Sequence, residues 1–462
     1  MSLVTIRFVI FCVGFLVAYY TVGAIQPKWQ WCVSLVGSVV FYLFSGPWNA
    51  LLLLATVVVT YGAAVLMEQW DKHRKVVMVG CIVICVGLLL LCKFDRNFLM
   101  PLGISFYTFQ SLSYVIDCYK GKSKAQRNFL KYVLFVSFFP QIGQGPIGRY
   151  DRLAPQLYVP HGFDYDQFAM GIIRMLIGAF KKLFIANQLA LFVDAMYENP
   201  GEHAGVSLLV ASVCYTIQLY ADFSGYMDLA IGIGQACGIH LDENFRAPYL
   251  ATSIRDFWNR WHLTLSTWLR DYLYIPLGGN RKGFFRKNAN ILIVMLVSGI
   301  WHGNTWNFLI WGGLHGLYQV IESIGRQAGF GKKPDVGVRQ IVHIIWTFFW
   351  VNLAWVFFRL PTVGDVVTMM RQVAFGFFQD GWKAELWSLD GFYGAFWIWA
   401  VLGVLCMLIM DLMREHDVQV EAFVYKQPLV LRWAMLFCLC FVIFVFCNSE
   451  AASSTNFLYY RF

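Results

Sequence analysis

Apolar runs of bilayer-crossing length, separated by short polar loops, set the strongest limit on what this 462-residue chain can become. The first covers residues 4–25 and exceeds the roughly 7–15 residues of a signal-peptide core. Its only basic residue is Arg7, so it reads as a retained span. Further runs cover residues 31–44, 51–67, 76–92, 101–119, 168–192, 206–220, 306–321, 341–357, 396–412 and 429–446. Residues 291–301 form one more candidate, short of the roughly 20 residues that a helical crossing needs. The pattern predicts an all-α polytopic membrane protein with about eleven transmembrane helices plus re-entrant or short helices.

Charge agrees with this reading. Asp, Glu, Lys and Arg make up 14% of the chain, against roughly 25% in soluble globular proteins. A soluble multidomain enzyme, a disordered chain and a fibrous protein are thereby excluded. The net charge of +9 sits in short loops, which fits the positive-inside rule better than a nucleic-acid surface. Lys28 and the Lys72, Arg74 and Lys75 cluster place the N-terminus outside. Lys120, Lys122, Lys124, Arg127 and Lys131 then fall on the cytoplasmic side. The 12 cysteines lie mostly inside apolar runs without CxxC pairs, so neither a disulfide framework nor a zinc site is expected.

No linker or repeat divides the sequence. One membrane domain over residues 1–462 is expected, with N-terminal helices at 1–100 and a core at 101–321. Further helices follow at 322–450, and a tail at 451–462. Residues 140–150 and 255–279 are too short or too polar to cross. At membrane depth such backbone survives only inside protein or beside a water-filled cavity, so these stretches are expected to line one.

The densest polar region runs through residues 244–249 and 253–279. As one helix it puts Arg255, Asn259, His262, Ser266 and Arg270 on one stripe, and Trp258, Trp261, Leu265, Trp268 and Tyr272 on another. Such a helix equally suits the bilayer surface. His302 ends the run of about ten apolar residues after Asn290, which places it roughly 15–18 Å along a helix and near mid-membrane. An ionisable group there is a functional candidate, and Gly299 and Gly303 leave room for a close approach to it. His315 follows one helix later. The three histidines lack ligand spacing and accompanying carboxylates, so no metal site is expected. The glycines at 143, 145 and 148 match a nucleotide fingerprint in letters only, because Pro146 interrupts them.

These residues sit in motifs that resemble the membrane-bound O-acyltransferase (MBOAT) family, in its bacterial alginate O-acetylase-like branch. The motifs are PLGISFYTFQ from Pro101, GPIGRY from Gly145, YADFSGY from Tyr220, RWHLTLSTW from Arg260 and WHG from Trp301. The resemblance implies a ring of helices around a central tunnel, with His302 as catalytic histidine and His262 as its partner. His315, Arg260, Ser266, Trp301 and Asn259 would then lie around them. The chain ends in NFLYYRF, similar to a terminal Phe-x-Tyr-x-x-Phe motif of this branch. By that likeness Phe457 and Phe462 frame Tyr459, which takes the acyl group and passes it on.

The implied activity is O-acetyl transfer from a cytoplasmic thioester, acetyl-CoA or an acyl-carrier thioester, with no bound cofactor. The implied recipient is an extracytoplasmic SGNH-type partner that modifies a polysaccharide, and the implied location is the bacterial cytoplasmic membrane. Transfer of D-alanine to teichoic acid from a carrier protein is the alternative within the same fold. A non-enzymatic transporter is the alternative outside it, disfavoured because no paired half-repeats are visible.

Overall fold

The computed structural model describes residues 4–94, 100–329, 337–387 and 395–447. All regular elements among the described residues are helical. Among the described residues, eight helices are long and apolar enough to cross a membrane: Ile6–Ile25, Pro47–Gln69, Asp71–Phe94, Gly205–Ala236, Gly283–His302, Val338–Arg359, Phe396–Glu415 and Leu429–Cys447. The chain is a multi-pass membrane protein. Large apolar side chains such as Val76, Val430 and Phe441 stand exposed on these helices, a surface that lipid, not water, accommodates.

Several expected crossings take another form. Residues 31–44 become the 14-residue helix Gln30–Leu43. Residues 101–119 become Ile104–Tyr119, a helix with nearly all its side chains buried that packs against Pro47–Gln69 and Arg74–Phe94. Residues 168–192 are interrupted by a π-helical stretch, Lys181–Ala186, between Tyr165–Phe180 and Asn187–Glu198. The short candidate at 291–301 needs correcting in the opposite direction. It is the second half of the 20-residue helix Gly283–His302. Hydropathy alone ends the run at Asn290. In the fold the buried Asn290 amide donates to the carbonyl of Gly279 at 3.0 Å, so the helix continues through it. The premise that put His302 at mid-membrane, a ten-residue run, therefore gives way: His302 is the last residue of a membrane-length helix.

Contacts divide the chain into two compact units. One comprises the described residues of 1–178, 226–243 and 424–432; the other comprises those of 179–225, 244–423 and 433–462. In the first, the buried Ile104–Tyr119 helix is tied by the Gln110 amide to the carbonyl of Phe135. There too the buried Arg174 guanidinium pairs with Asp228 at 3.2 Å and Glu243 at 2.7 Å. A buried charge needs such partners to be tolerated.

The second unit is built on a helical hairpin, Gly283–His302 followed by Trp306–Gln327. Its arms touch backbone to backbone where two glycines meet. A Cβ on Gly299 would lie 2.4 Å from the carbonyl oxygen of Phe308, and one on Gly312 would lie 2.4 Å from that of Met295. Small residues at a crossing let membrane helices approach this closely. Gly303 faces the Phe308 ring, which an added Cβ would meet at 2.2 Å. Gly299 and Gly303 thus serve helix packing, which corrects the expectation that they open a path to His302.

A matched pair of substitutions tests the crossing. Gly312→Ala should destabilise by about 1–3 kcal/mol through overpacking. Gly313→Ala, where an added Cβ meets only Leu296 at 3.7 Å, should stabilise by about 0.5–1 kcal/mol through helix propensity. Thermal midpoints in detergent moving in opposite directions would establish the contact. Equal shifts would dismiss it.

Candidate active site

The expected helix across 253–279 does not form as one element. Helix Ile254–Trp258 is started by Ser253, whose hydroxyl accepts from the Asp256 amide at 3.1 Å. The Glu322 carboxylate holds the same end, accepting from the Ile254 and Arg255 amides at 2.5 and 3.1 Å. The chain then breaks and re-forms as Leu263–Leu269, with a π-helical turn at Arg270–Tyr274. The break has a visible cause. The Arg246 amide donates to the Arg260 carbonyl at 2.9 Å, and the Leu263 amide donates to the Asn244 carbonyl at 3.0 Å. These peptide groups bond to residues 244–246 and not along a helix.

At the break His262 takes a left-handed conformation, φ 46° and ψ 53°, costly for a residue with a Cβ. The predicted polar stripe is therefore split. Arg255, Asn259, Ser266 and Arg270 line a cavity, while His262 turns inward and is 1% exposed.

His262 lies edge-on to Phe223, ring centres 4.9 Å apart, and its Nδ1 lies 3.2 Å from Asn244 Oδ1. Outside the spanning helices but fully enclosed, it has its pKa pushed down by burial to about 3, so its ring is neutral. Trp301 stands 6.2 Å from the His262 ring and 4.7 Å from His302. His302 packs between Trp311 at 5.0 Å and Phe358 at 5.1 Å. His315 continues the row, 5.1 Å from Trp311, and its Nδ1 accepts from the Trp258 indole at 3.3 Å. All three histidines are buried. Expected from scattered positions, they converge on one aromatic core, joined by Trp301 and Trp311.

The tyrosine-rich motif at 220–226 supports this core. The Tyr220 hydroxyl donates to Asp411 at 2.7 Å. The Lys182 ammonium pairs with Asp222 at 2.7 Å, and Phe223 forms the wall beside His262. Arg260 is drawn elsewhere: its guanidinium binds Asp256 at 3.0 Å and the Glu415 carboxylate at 3.0 Å. Those bonds make it a brace for the break. Ser266 caps the same bend, its hydroxyl donating to the Trp261 carbonyl at 3.2 Å. The tail residues Phe457, Tyr459 and Phe462 lie outside the described residues.

The cavity holds about 480 Å³. Arg255, Arg270, Lys287 and Arg326 stand around it, and Leu263, Ile291, Val294 and Met295 give it an apolar wall. Trp258 belongs both to this wall and, through its indole N–H, to His315. The cavity thus ends one side chain short of the histidine row. The sequence puts Arg255 and Arg270 on the polar stripe and Asn244 at the head of the densest polar region, but does not single out Glu322, Arg326 or a role for Asn244. Glu322 and Arg326, four residues apart on one helix face, were the available signal for the first two.

A multi-pass helical membrane protein with a buried histidine core defines the class. The profile of the membrane-bound O-acyltransferase family, MBOAT, matches residues 123–362, and the chain belongs to that family. It is 42% identical over 300 residues to the probable alginate O-acetylase AlgI of Azotobacter vinelandii, covering 64% of this chain and 58% of that protein. It is 34% identical over 405 residues to a peptidoglycan O-acetyltransferase of Helicobacter pylori, covering 77% of this chain and 75% of that one. A teichoic acid D-alanyltransferase of Bacillus subtilis is 27% identical over 271 residues, 55% of this chain and 68% of its own length.

Proposed function

We propose that this chain is an O-acetyltransferase of the bacterial cytoplasmic membrane. It takes an acetyl group from a cytoplasmic thioester, carries it on Tyr459, and passes it to an extracytoplasmic SGNH-type partner for a cell-surface polysaccharide. The observation that carries this reading is the row of buried histidines placed one side chain from a cation-rimmed cavity, in a chain of this family. Two shorter helices, Gln30–Leu43 and Ile104–Tyr119, together with the 22-residue Trp306–Gln327, would complete about eleven crossings around the tunnel that the family resemblance implies.

The acceptor hydroxyl gives its proton to His302 as its oxygen bonds to the thioester carbonyl carbon. The carbon–sulfur bond then breaks, and the departing thiolate takes the proton back from the imidazolium. His262 orients the reacting groups. The phosphates of the donor rest on Arg255, Arg270, Lys287 and Arg326 while its acyl arm follows the apolar wall.

Neutralising two rim charges, Arg255→Gln with Arg326→Gln, should raise KM for acetyl-CoA roughly 10- to 30-fold, at on the order of 1 kcal/mol per guanidinium. It should leave kcat unchanged and weaken the dependence of KM on salt. An unchanged KM would remove the cavity from the donor path.

The likeness to a D-alanyltransferase keeps one rival, transfer of D-alanine from a carrier protein. Offering labelled acetyl-CoA and labelled D-alanyl carrier protein to the purified chain in bilayers distinguishes them. Acetyl incorporation without D-alanyl incorporation is expected, and the reverse would replace the proposed substrate.

A further inference from the structure

His262 is held by more than its own backbone. Asn244, fully buried, turns one side-chain oxygen toward three polar groups at once. The Thr264 amide reaches it at 3.0 Å and the Thr264 hydroxyl at 2.9 Å, with His262 Nδ1 at 3.2 Å. A backbone N–H must meet an acceptor, so the Thr264 amide fixes which end of the Asn244 carboxamide faces this way. An oxygen there accepts only. The neutral His262 ring must therefore carry its proton on Nδ1, which leaves Nε2 with a lone pair.

We propose that Asn244 is a positioning residue that locks His262 in the Nδ1–H tautomer, so that Nε2 acts only as a hydrogen-bond acceptor toward the reacting groups. The clause about reacting groups rests on the acyl-transfer reading above; the tautomer does not. An imidazole in this form has no N–H left to hold an oxyanion. Its part is to accept a hydrogen bond from an amide N–H on the arm of the bound thioester and so aim the carbonyl, while the attacking hydroxyl's single proton goes to His302, with no bond made or broken on His262 itself. The left-handed backbone at His262 and the two backbone bridges on either side of it serve the same end. The strained conformation persists because residues 244–246 and 260–263 over-determine it, and Phe223 fixes the ring plane from one side.

The test is nitrogen NMR of the full chain in lipid bilayers with ¹⁵N-histidine, His262 being assigned by difference from His262→Gln. At neutral pH the wild type should show a protonated Nδ1 and a bare Nε2. Asn244→Ala should admit the Nε2–H form, while Asn244→Asp, which keeps an acceptor oxygen, should retain Nδ1–H. In turnover, Asn244→Ala should lower kcat by about 10- to 100-fold with KM unchanged, and Asn244→Asp should recover most of it.

An Nε2–H wild type, or an Asn244→Ala chain that still holds Nδ1–H, overturns the proposal. So does a loss that falls on KM and not on kcat. The wild-type spectrum decides the tautomer even if the alanine variant does not insert. The predicted tautomers together with no acyl transfer by any variant would overturn the proposed function and leave the lock at Asn244 standing.

Discussion

His302→Ala is expected to abolish acetyl transfer in a chain that still inserts into the membrane. Removing a general base typically costs about 10²–10⁴ in rate, and a buried site admits little water to replace it. His302 sits in a packed aromatic pocket between Trp311 and Phe358, so alanine also leaves a void. His302→Gln, closer in volume, separates the two effects. Both variants should lose transfer, while the thermal midpoint falls further for alanine than for glutamine. Small imidazole added to the alanine variant should restore part of the rate by occupying the void, and should do nothing for glutamine. Transfer by either variant at more than about a tenth of the wild-type rate would take the base role from His302.

Tyr459→Phe carries the second large effect. The substitution deletes one oxygen and keeps the ring, so any function as an aromatic membrane anchor survives it. A phenol has a pKa near 10, well below an aliphatic alcohol, so a histidine base deprotonates it more readily. The phenyl ester formed is in turn a good acyl donor for the next step. If Tyr459 carries the acetyl group, the phenylalanine variant should reduce polysaccharide acetylation to the level of cells lacking the chain. Phe457→Ala and Phe462→Ala, which remove only the flanking rings, should lower it partially. Full acetylation with phenylalanine at 459 would show that the tail is an anchor and that the acyl group travels by another route.

The sequence and the fold agree best where hydrophobicity alone decides. Long apolar runs such as 51–67 and 429–446 appear as the helices Pro47–Gln69 and Leu429–Cys447. The three histidines singled out in the sequence, His262 in the polar region, His302 at the end of an apolar run and His315 one helix later, do come to one core. They do so because Trp301 and Trp311, on either arm of a glycine-tight hairpin, lie between them. What the sequence hid depends on contacts distant along the chain. The periodicity from Arg255 to Arg270 is helical, yet the backbone breaks at His262 because Asn244 and Arg246 take its hydrogen bonds. Gly299 and Gly303 looked like room for a substrate, and Phe308 shows that the hairpin uses that room itself. Asn290 looked like the end of a helix, and the Gly279 carbonyl makes it the middle of one. Asn244 carried no motif of its own, since its role follows only from Thr264 and His262 meeting one oxygen.

The relay is tested most directly by intact mass spectrometry of the C-terminal peptide, after the chain in bilayers is exposed to acetyl-CoA labelled in its acetyl group. One labelled acetyl group should be found on Tyr459 of the wild type, and none in His302→Ala or Tyr459→Phe. A wild-type peptide that remains unmodified while the polysaccharide acquires the label would contradict the relay.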